Sequence, residues 1–565
     1  MRRDAFRRAL RLAGLAASCL LASCGGGGGG SSTPRSATST TTTTTTTALI
    51  QPLSKVAARC AAPRPASAVD PLTGEPYNDQ PGSLDTEMSW IASYSNLTYL
   101  WYPDITAVST APYYIGATVP YVDPSNNSAG TETVTSNYQV VDAYFNTQRS
   151  MLFTASGKPK DQFHFTYVTT EYDALENSGN VAAFGFTAAI LAGSPPRNVV
   201  VAYVDPGSPA AAIGITRGMT FLDVDGVDVV NGSDVTTLND GIFTPTAGQT
   251  YTFTLEQPAS TQTINVSLTA QVLAEVPVQD VGVLPAPNAT VGYMLFNEHI
   301  ATAEAALINA VTTLSQANGG QGITDLVLDL RYNGGGYLDI ASELASMISS
   351  SATTASATFE AESFNNKNPF NFTAAEDITP FWQTSQGFSV PAGEPLPHLN
   401  LSRVFVIVGS GTCSASEAVI NGLRGVGVNV IAVGDTTCGK PYGFYPQDNC
   451  STTYFTIQFE GVNNAGFGGY ADGFIPGGTG STANNLAGCM VADDFDHALG
   501  DPNEIRLGTA LYYLNHGACP AAGVINRARR PGAHTVQDVE LVRPRPLENA
   551  ILLHQRPALA ALLQR

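Results

Sequence analysis

The stretch 404-VFVIVGSGTCSASEAVINGL-423, followed by 430-VIAVGDTTCGKPYGF-444, constrains this chain more than any other segment. Val404 to Val408 form a short, β-branched apolar run suited to a buried strand. A turn of small residues follows, and Ala415 to Leu423 then carries apolar residues at helical spacing. Ser414 falls at the handover from strand to helix, where first-turn N–H groups lack intrahelical acceptors and can receive developing negative charge. A second apolar strand, Val428 to Val433, leads into another glycine turn, which carries Lys440. The chain has only five lysines, so one kept among apolar strands invites a chemical explanation. Alone, Ser414 would read as a helix cap and Lys440 as a surface turn residue. Together, on two glycine turns, they read as a reactive pair.

The same alternation extends upstream. A strand is expected near Val291 to Phe296, a helix over Ala301 to Leu314, a strand over Asp325 to Leu330 and a helix over Tyr337 to Ile348. Repeated β–α units predict an α/β core with a mixed, mostly parallel sheet and helices outside it. Ser351 to Leu399 is a long polar insertion, rich in Phe and Asn, and loops of that length often wall a cleft. Further upstream, Trp90, Tyr94, Leu97, Leu100 and Trp101 lie near helical spacing, and Val140 to Met151 suits a second helix. Between these parts the chain turns β-rich. Phe221 to Val224 and Val227 to Val230 flank an Asp225-Gly226 turn, a hairpin signal.

Ser414-Ala415-Ser416-Glu417, Thr437-Cys438-Gly439-Lys440 and 325-DLVLDLRYNGGGYLDIASELA-345 resemble, in order, motifs of the S41 peptidases, the C-terminal processing (tail-specific) proteases. The resemblance runs over roughly residues 87–519. It implies a ClpP/crotonase-like protease core in which Ser414 attacks the peptide and Lys440 is the general base. The oxyanion hole would come from the N–H groups of Ala415 and Gly335. Such a base must be neutral, and burial among Val430 to Val433 would lower its pKa. Family members often place a glutamine four residues after the lysine to orient it; here that position is Phe444, and Gln447 is the nearest glutamine. His164, in 161-DQFHFTYVTTEYDAL-175, is an alternative base, because related S41 branches draw a histidine from this upstream segment. Residues 183–190 and 201–229 resemble a PDZ domain of the bacterial protease type. Phe184-Gly185-Phe186 would be its carboxylate-binding loop, receiving a peptide C-terminus by strand addition.

The expected organisation is therefore a lipoprotein signal peptide (1–24), a Gly/Ser/Thr-rich tether (25–80), an N-terminal helical segment (81–180), the inserted β-rich PDZ domain (181–275), the protease core (276–520) and a C-terminal tail (521–565). Leu21-Ala22-Ser23-Cys24 resembles a bacterial lipobox with Cys24 lipidated, after an apolar run too short to span a bilayer. That predicts a chain lipid-anchored in the cell envelope, with the outer membrane favoured because glycine, not aspartate, follows Cys24. A formal charge of -20 excludes nucleic acid as a main partner. The remaining six cysteines permit disulfides in an exported chain, and a hairpin suggests Cys438 with Cys450. Cys413, beside Ser414, is expected to pack or pair. No C-x-x-C occurs and the seven histidines are scattered, so neither a metal nor another cofactor is expected. The expected partners are protein or peptide substrates. Competing readings are a non-catalytic PDZ-type adaptor and a Ser-His esterase or amidase, the latter disfavoured by the lack of a G-x-S-x-G elbow at Ser414.

Overall fold

The computed structural model describes residues 50–521, except 71–73, 125–126, 171, 173–179, 194 and 479–481, together with residues 551–552. Cys24, the signal peptide, the tether before residue 50 and most of the C-terminal tail lie outside the described residues. Among those described, no helix is long and apolar enough to cross a membrane.

A seven-stranded sheet organises the core, in the order Val278–Val283, Val291–Phe296, Asp325–Asp329, Arg403–Val408, Asn429–Gly434, Asn485–Met490, Ile475–Pro476. Only the first pairing is antiparallel. The strand that holds Val404 to Val408 is apolar throughout because both of its faces are covered. Val404, Val406 and Val408 join the cluster containing Leu338, Ala418 and Val419, from the helices Leu338–Ile348 and Ala415–Gly425. Phe405 and Ile407 face the opposite way, onto Leu507, Ala510 and Leu511 of the helix Ile505–His516. All four expected strand–helix boundaries agree with the structure to within two residues.

A six-stranded sheet spans Phe186–Ala192 to Thr263–Thr269 and carries its own apolar cluster, centred on Phe186, Val201, Phe221 and Phe253. One edge strand is Phe186–Ala192, which among the described residues pairs only with Asn198–Val204. The second face of these two strands packs through Ala189, Val200 and Ala202 against Tyr332, Phe495 and Leu499 of the core.

The helix Leu84–Thr98 begins with a reciprocal cap: Thr86 N–H donates to Ser83 Oγ (3.3 Å) and Ser83 N–H to Thr86 Oγ1 (2.7 Å). Its aromatic stripe is core, with Trp90 stacked on Tyr94 at 4.8 Å and tilted against Tyr454 at 5.0 Å. The second helix runs Asn137–Asn146, three residues earlier than the periodicity suggests, because Ser136 caps it by accepting from Gln139 N–H.

Three expectations need correction. The stretch 50–80 is not simply tether: Leu53, Val56 and Cys60 are buried, and Arg59–Cys60 pairs with Gln80–Pro81. Residues 351–399 are not a plain loop, because Thr358–Phe364 forms a strand between Ile378–Pro380 and Phe459–Val462 in a four-stranded sheet. That sheet ends on Tyr442–Gly443, two residues past Lys440, so the insertion does wall the region of the lysine. Finally, Cys438 does not pair with Cys450. The disulfides are Cys60–Cys450, Cys413–Cys438 and Cys489–Cys519. Sequence proximity suggested a hairpin closure, whereas the fold carries Cys450 to the N-terminal segment 390 positions away.

Because Cys60–Cys450 closes so long a loop, the double variant Cys60→Ala/Cys450→Ala should lose stability on the order of 2–4 kcal/mol. A lowered urea midpoint checks this, and an unchanged midpoint would show that the N-terminal segment holds without the bond.

Candidate active site

Ser414 opens the helix Ala415–Gly425 with φ 59° and ψ -118°, a left-handed conformation rare for a side-chain-bearing residue. Holding such a geometry costs on the order of 1–3 kcal/mol and is found mostly where function demands it. Ser414 Oγ makes no hydrogen bond, so the residue does not cap its helix in the ordinary way. Ala415 occupies the first helical position, where N–H groups have no intrahelical acceptor.

Lys440 is 0% exposed, as is Ser414, and its Nζ also has no hydrogen-bond partner. The amine lies over two rings, 4.4 Å from the centroid of Phe444 and 5.0 Å from that of Phe163. Burial holds its pKa well below the ordinary lysine value, against the opposing pull of Asp161 and Glu417. Phe444, the position of the family's glutamine, thus serves as part of the apolar box around the amine.

Glu417 ties the two turns together. Its Oε2 accepts from Ser414 N–H (3.2 Å) and Lys440 N–H (2.8 Å), and its Oε1 from Gly439 N–H (2.9 Å) and Thr437 Oγ1 (2.5 Å). Burial raises the Glu417 pKa, and these four donors work against that rise. A second tie is covalent: the Cys413–Cys438 disulfide joins the residue before Ser414 to the residue two before Lys440. The Sγ of Cys438 lies 3.3 Å from Glu417 Oε2. Cys413, Glu417 and Cys438 bring their ligand-type atoms within 4.8 Å, but the two sulfurs are bonded to each other and have no thiolates to offer a metal.

Gly335 packs directly on the serine. A Cβ at this position, where φ is +107°, would come within 2.7 Å of Ser414 Cβ and 2.9 Å of Cys413 O, so only glycine fits. Its N–H, expected as an oxyanion donor, is already engaged: it donates to Asn333 Oδ1 at 3.0 Å. The Asn333 amide is fixed at both ends, by His299 Nδ1 (3.0 Å) and by its own donation to Phe296 O (3.0 Å). Burial pushes His299 down to about 3, so it is a neutral ring at working pH.

The other expected residues fall elsewhere. Gln447 donates to Asp448 O (2.9 Å), on a strand paired with Thr452–Phe455, and makes no hydrogen bond to Lys440. His164 is stacked on Phe145 at 3.8 Å; its Nε2 bonds Phe145 O (2.9 Å) and its Nδ1 faces Thr456 Oγ1 (3.3 Å) and Asp161 (3.5 Å). Burial lowers its pKa, with Asp161 opposing. Phe184 and Phe186 turn their rings into the β-rich core, beside Tyr251, Phe253 and Phe221. Between them Gly185 has φ +83°, and an added Cβ would lie 2.1 Å from Ser208 Cβ. Glu417, Asn333, Asp161 and the disulfide were not singled out by sequence reasoning as parts of the site. The signals were indirect: Glu417 is an acid three residues into a helix that starts at serine, Asn333 falls in the 325–345 block, and Asp161 opens the 161–175 segment.

Two outcomes follow from this geometry. Lys440→Met should stabilise the fold at pH 7, because a depressed lysine pKa makes the unfolded chain bind more protons up to about 10.5. Each pH unit of displacement is worth about 1.4 kcal/mol, and the gain over wild type should shrink as pH rises toward 10. Urea midpoints at several pH values check the sign. Gly335→Ala should cost about 100-fold in any Ser414-dependent turnover while circular dichroism stays unchanged.

Comparison with known proteins agrees with the geometry. Residues 290–447 match the description Peptidase family S41, and this span contains both Ser414 and Lys440. A carboxyl-terminal-processing protease of Picosynechococcus sp. is 29% identical over 242 residues, which is 42% of this chain and 49% of that protein. The chain thus matches about half the length of that relative. A crystal structure of a putative S41 protease from Bacteroides fragilis shares the fold, with a TM-score of 0.53 and 20% identity over 79% of this chain and 99% of that one. With its strand–turn–helix at Ser414 and its glycine turn at Lys440, the chain carries a domain of peptidase family S41.

Proposed function

We propose that the chain is a serine endopeptidase of the C-terminal processing type, working through Ser414 and Lys440. The observation that carries the reading is a buried, unpartnered amine and a buried, unpartnered hydroxyl on two turns that converge on one Glu417 oxygen. Polar atoms left unpaired in a core are costly, and they persist where chemistry uses them.

In this reading the neutral Lys440 amine takes the Ser414 proton as Oγ attacks the scissile carbonyl, and the resulting ammonium gives that proton to the leaving amine. Water then resolves the acyl-enzyme by the same route. Ala415 N–H, at the helix start, receives the oxyanion. Gly335 N–H joins it once substrate oxygen replaces Asn333 Oδ1 as its acceptor. A donor of this kind is worth about 100- to 1,000-fold in rate. Phe163 and Phe444 keep water off the amine, while the Asp161 and Glu417 charges stop its pKa falling further. The orienting role expected of Gln447 passes to these groups.

The histidine alternative is disfavoured because both nitrogens of His164 already have partners in the core. A purely adaptor role leaves the strained serine and the depressed lysine without a use. The β-rich unit suits capture of substrate tails: its edge strand Phe186–Ala192 starts just after Gly185, and a peptide C-terminus would add along it as a further strand. Lipidation at Cys24 would hold the enzyme in the cell envelope, with proteins or peptides there as substrates.

Cleavage of an unfolded protein by the full chain tests the assignment. Ser414→Ala and Lys440→Ala should each lose nearly all turnover, while His164→Gln should stay within about tenfold of wild type. The wild-type kcat/KM should fall as pH drops through the depressed Lys440 pKa and level off above it. Equal losses at His164 and Lys440 would move the base to the histidine.

A further inference from the structure

We propose that the Cys413–Cys438 disulfide is the brace that positions Ser414 against Lys440, and that its reduction by a dithiol switches cleavage off. The inference rests on the Ser414–Lys440 reading above.

This bond spans 25 positions and encloses the helix Ala415–Gly425 and the strand Asn429–Gly434, so it closes the unit that separates the nucleophile from the base. One of its ends also meets the third loop of the site, and the other meets the serine turn. Cys413 N–H donates to Asn333 O (3.1 Å), on the turn that carries Gly335, and Cys438 N–H donates to Thr412 O (3.0 Å). The other two disulfides lie elsewhere in the chain, joining Cys60 to Cys450 and Cys489 to Cys519. Only Cys413–Cys438 sits one residue from the nucleophile and two from the base.

The bond is also placed for attack. Cys413 is buried and Cys438 is partly exposed, so attack is assigned to the Cys438 end. One thiolate of a dithiol attacks Cys438 Sγ, the S–S bond breaks, and Cys413 leaves as a thiolate that takes up a proton. The second thiolate of the reagent then displaces Cys438 from the mixed disulfide, and that sulfur is protonated in turn. Two electrons and two protons pass to the protein, and the reagent ends as a cyclic disulfide.

Reduction does more than cut the brace. Cys438 Sγ lies 3.3 Å from Glu417 Oε2, the oxygen that holds both Ser414 N–H and Lys440 N–H. In the disulfide this sulfur carries no proton. As a thiol it becomes a new donor competing for that oxygen. The covalent tie is lost and the hydrogen-bonded tie is weakened in one step, with the serine left free to relax from its left-handed backbone.

The test uses the full chain, oxidised, cleaving unfolded casein with and without dithiothreitol. EDTA is present so that the freed thiols and Glu417 take up no metal. Alkylation mapping by mass spectrometry reports which cysteines have opened. Reduction at Cys413 and Cys438 should lower kcat by about 10- to 100-fold, with KM changed by less than about twofold. Reoxidation with glutathione disulfide should restore it. Cys413→Ala/Cys438→Ala should show the low kcat in both conditions, and Cys60→Ala/Cys450→Ala should keep the full dithiol response. In the reduced chain the acid limb of kcat/KM should also move to higher pH, as a less enclosed Lys440 holds its proton longer. A merely structural contribution would leave that limb in place. Full kcat with Cys413 and Cys438 mapped as free thiols overturns the proposal, and so does a loss that tracks unfolding by circular dichroism. In either case an inactive Ser414→Ala leaves the Ser414–Lys440 reading standing. Cleavage that survives Ser414→Ala removes that reading and this proposal with it.

Discussion

The Glu417 carboxylate is the contact on which the rest of the site depends. A buried acid is expensive unless its oxygens are satisfied, and here four donors from two different turns supply the bonds. Glu417 belongs to the helix that follows Ser414, whereas Thr437, Gly439 and Lys440 belong to the loop after the next strand. The acid therefore converts a sequence separation of 26 positions between Ser414 and Lys440 into a shared local framework. Neither the Ser414 nor the Lys440 side chain takes part in these bonds. The framework is made by three backbone N–H groups and the Thr437 hydroxyl, which leaves the Ser414 hydroxyl and the Lys440 amine unbonded.

This arrangement runs against stability in a consistent way. A left-handed serine, a lysine enclosed by two rings, and an asparagine that occupies the Gly335 N–H beside that serine are each unfavourable or non-productive in isolation. They persist because rigid elements over-determine them. Val404 to Val408 is packed on both faces, the glycine at 335 admits no side chain, and a disulfide fixes the crossing point. Such a trade of stability for geometry is expected at a working site.

Most of the core was legible in the sequence because its strands are buried on both sides and its helices follow small-residue turns. Val404 to Val408, Val291 to Phe296 and the helix after Ser414 gave patterns that few other folds could use. The less legible features share one physical character: they depend on what lies opposite, not on local pattern. Cys450 lies near Cys438 in sequence but opposite Cys60 in space. Gln447 follows Lys440 closely, yet strand pairing with Tyr454 turns it away. Asn333 sits in a recognisable turn, but only the fold reveals that its amide captures Gly335 N–H. Thr358–Phe364 looked like loop because charged residues, Glu360 and Glu362, take buried positions in it.

The loop that carries Gly335 is also anchored at its other end. Arg331 is fully buried and bonded to Asp329, Asp493 and Glu504, while Tyr332 donates to Asp493 at 2.6 Å. Arg217, from the β-rich unit, reaches the same Asp493 at 2.8 Å. With Arg506 also near Asp493, three guanidinium groups face three carboxylates. Buried charges are tolerated when they are paired in this way, and removing one partner leaves the rest uncompensated. The turn beside Ser414 is therefore held by hydrogen bonds on the serine side and by a closed ion network on the other. Its backbone has little freedom to drift, so any reorientation of Gly335 N–H away from Asn333 Oδ1 would be confined to the peptide units between Asn333 and Gly336.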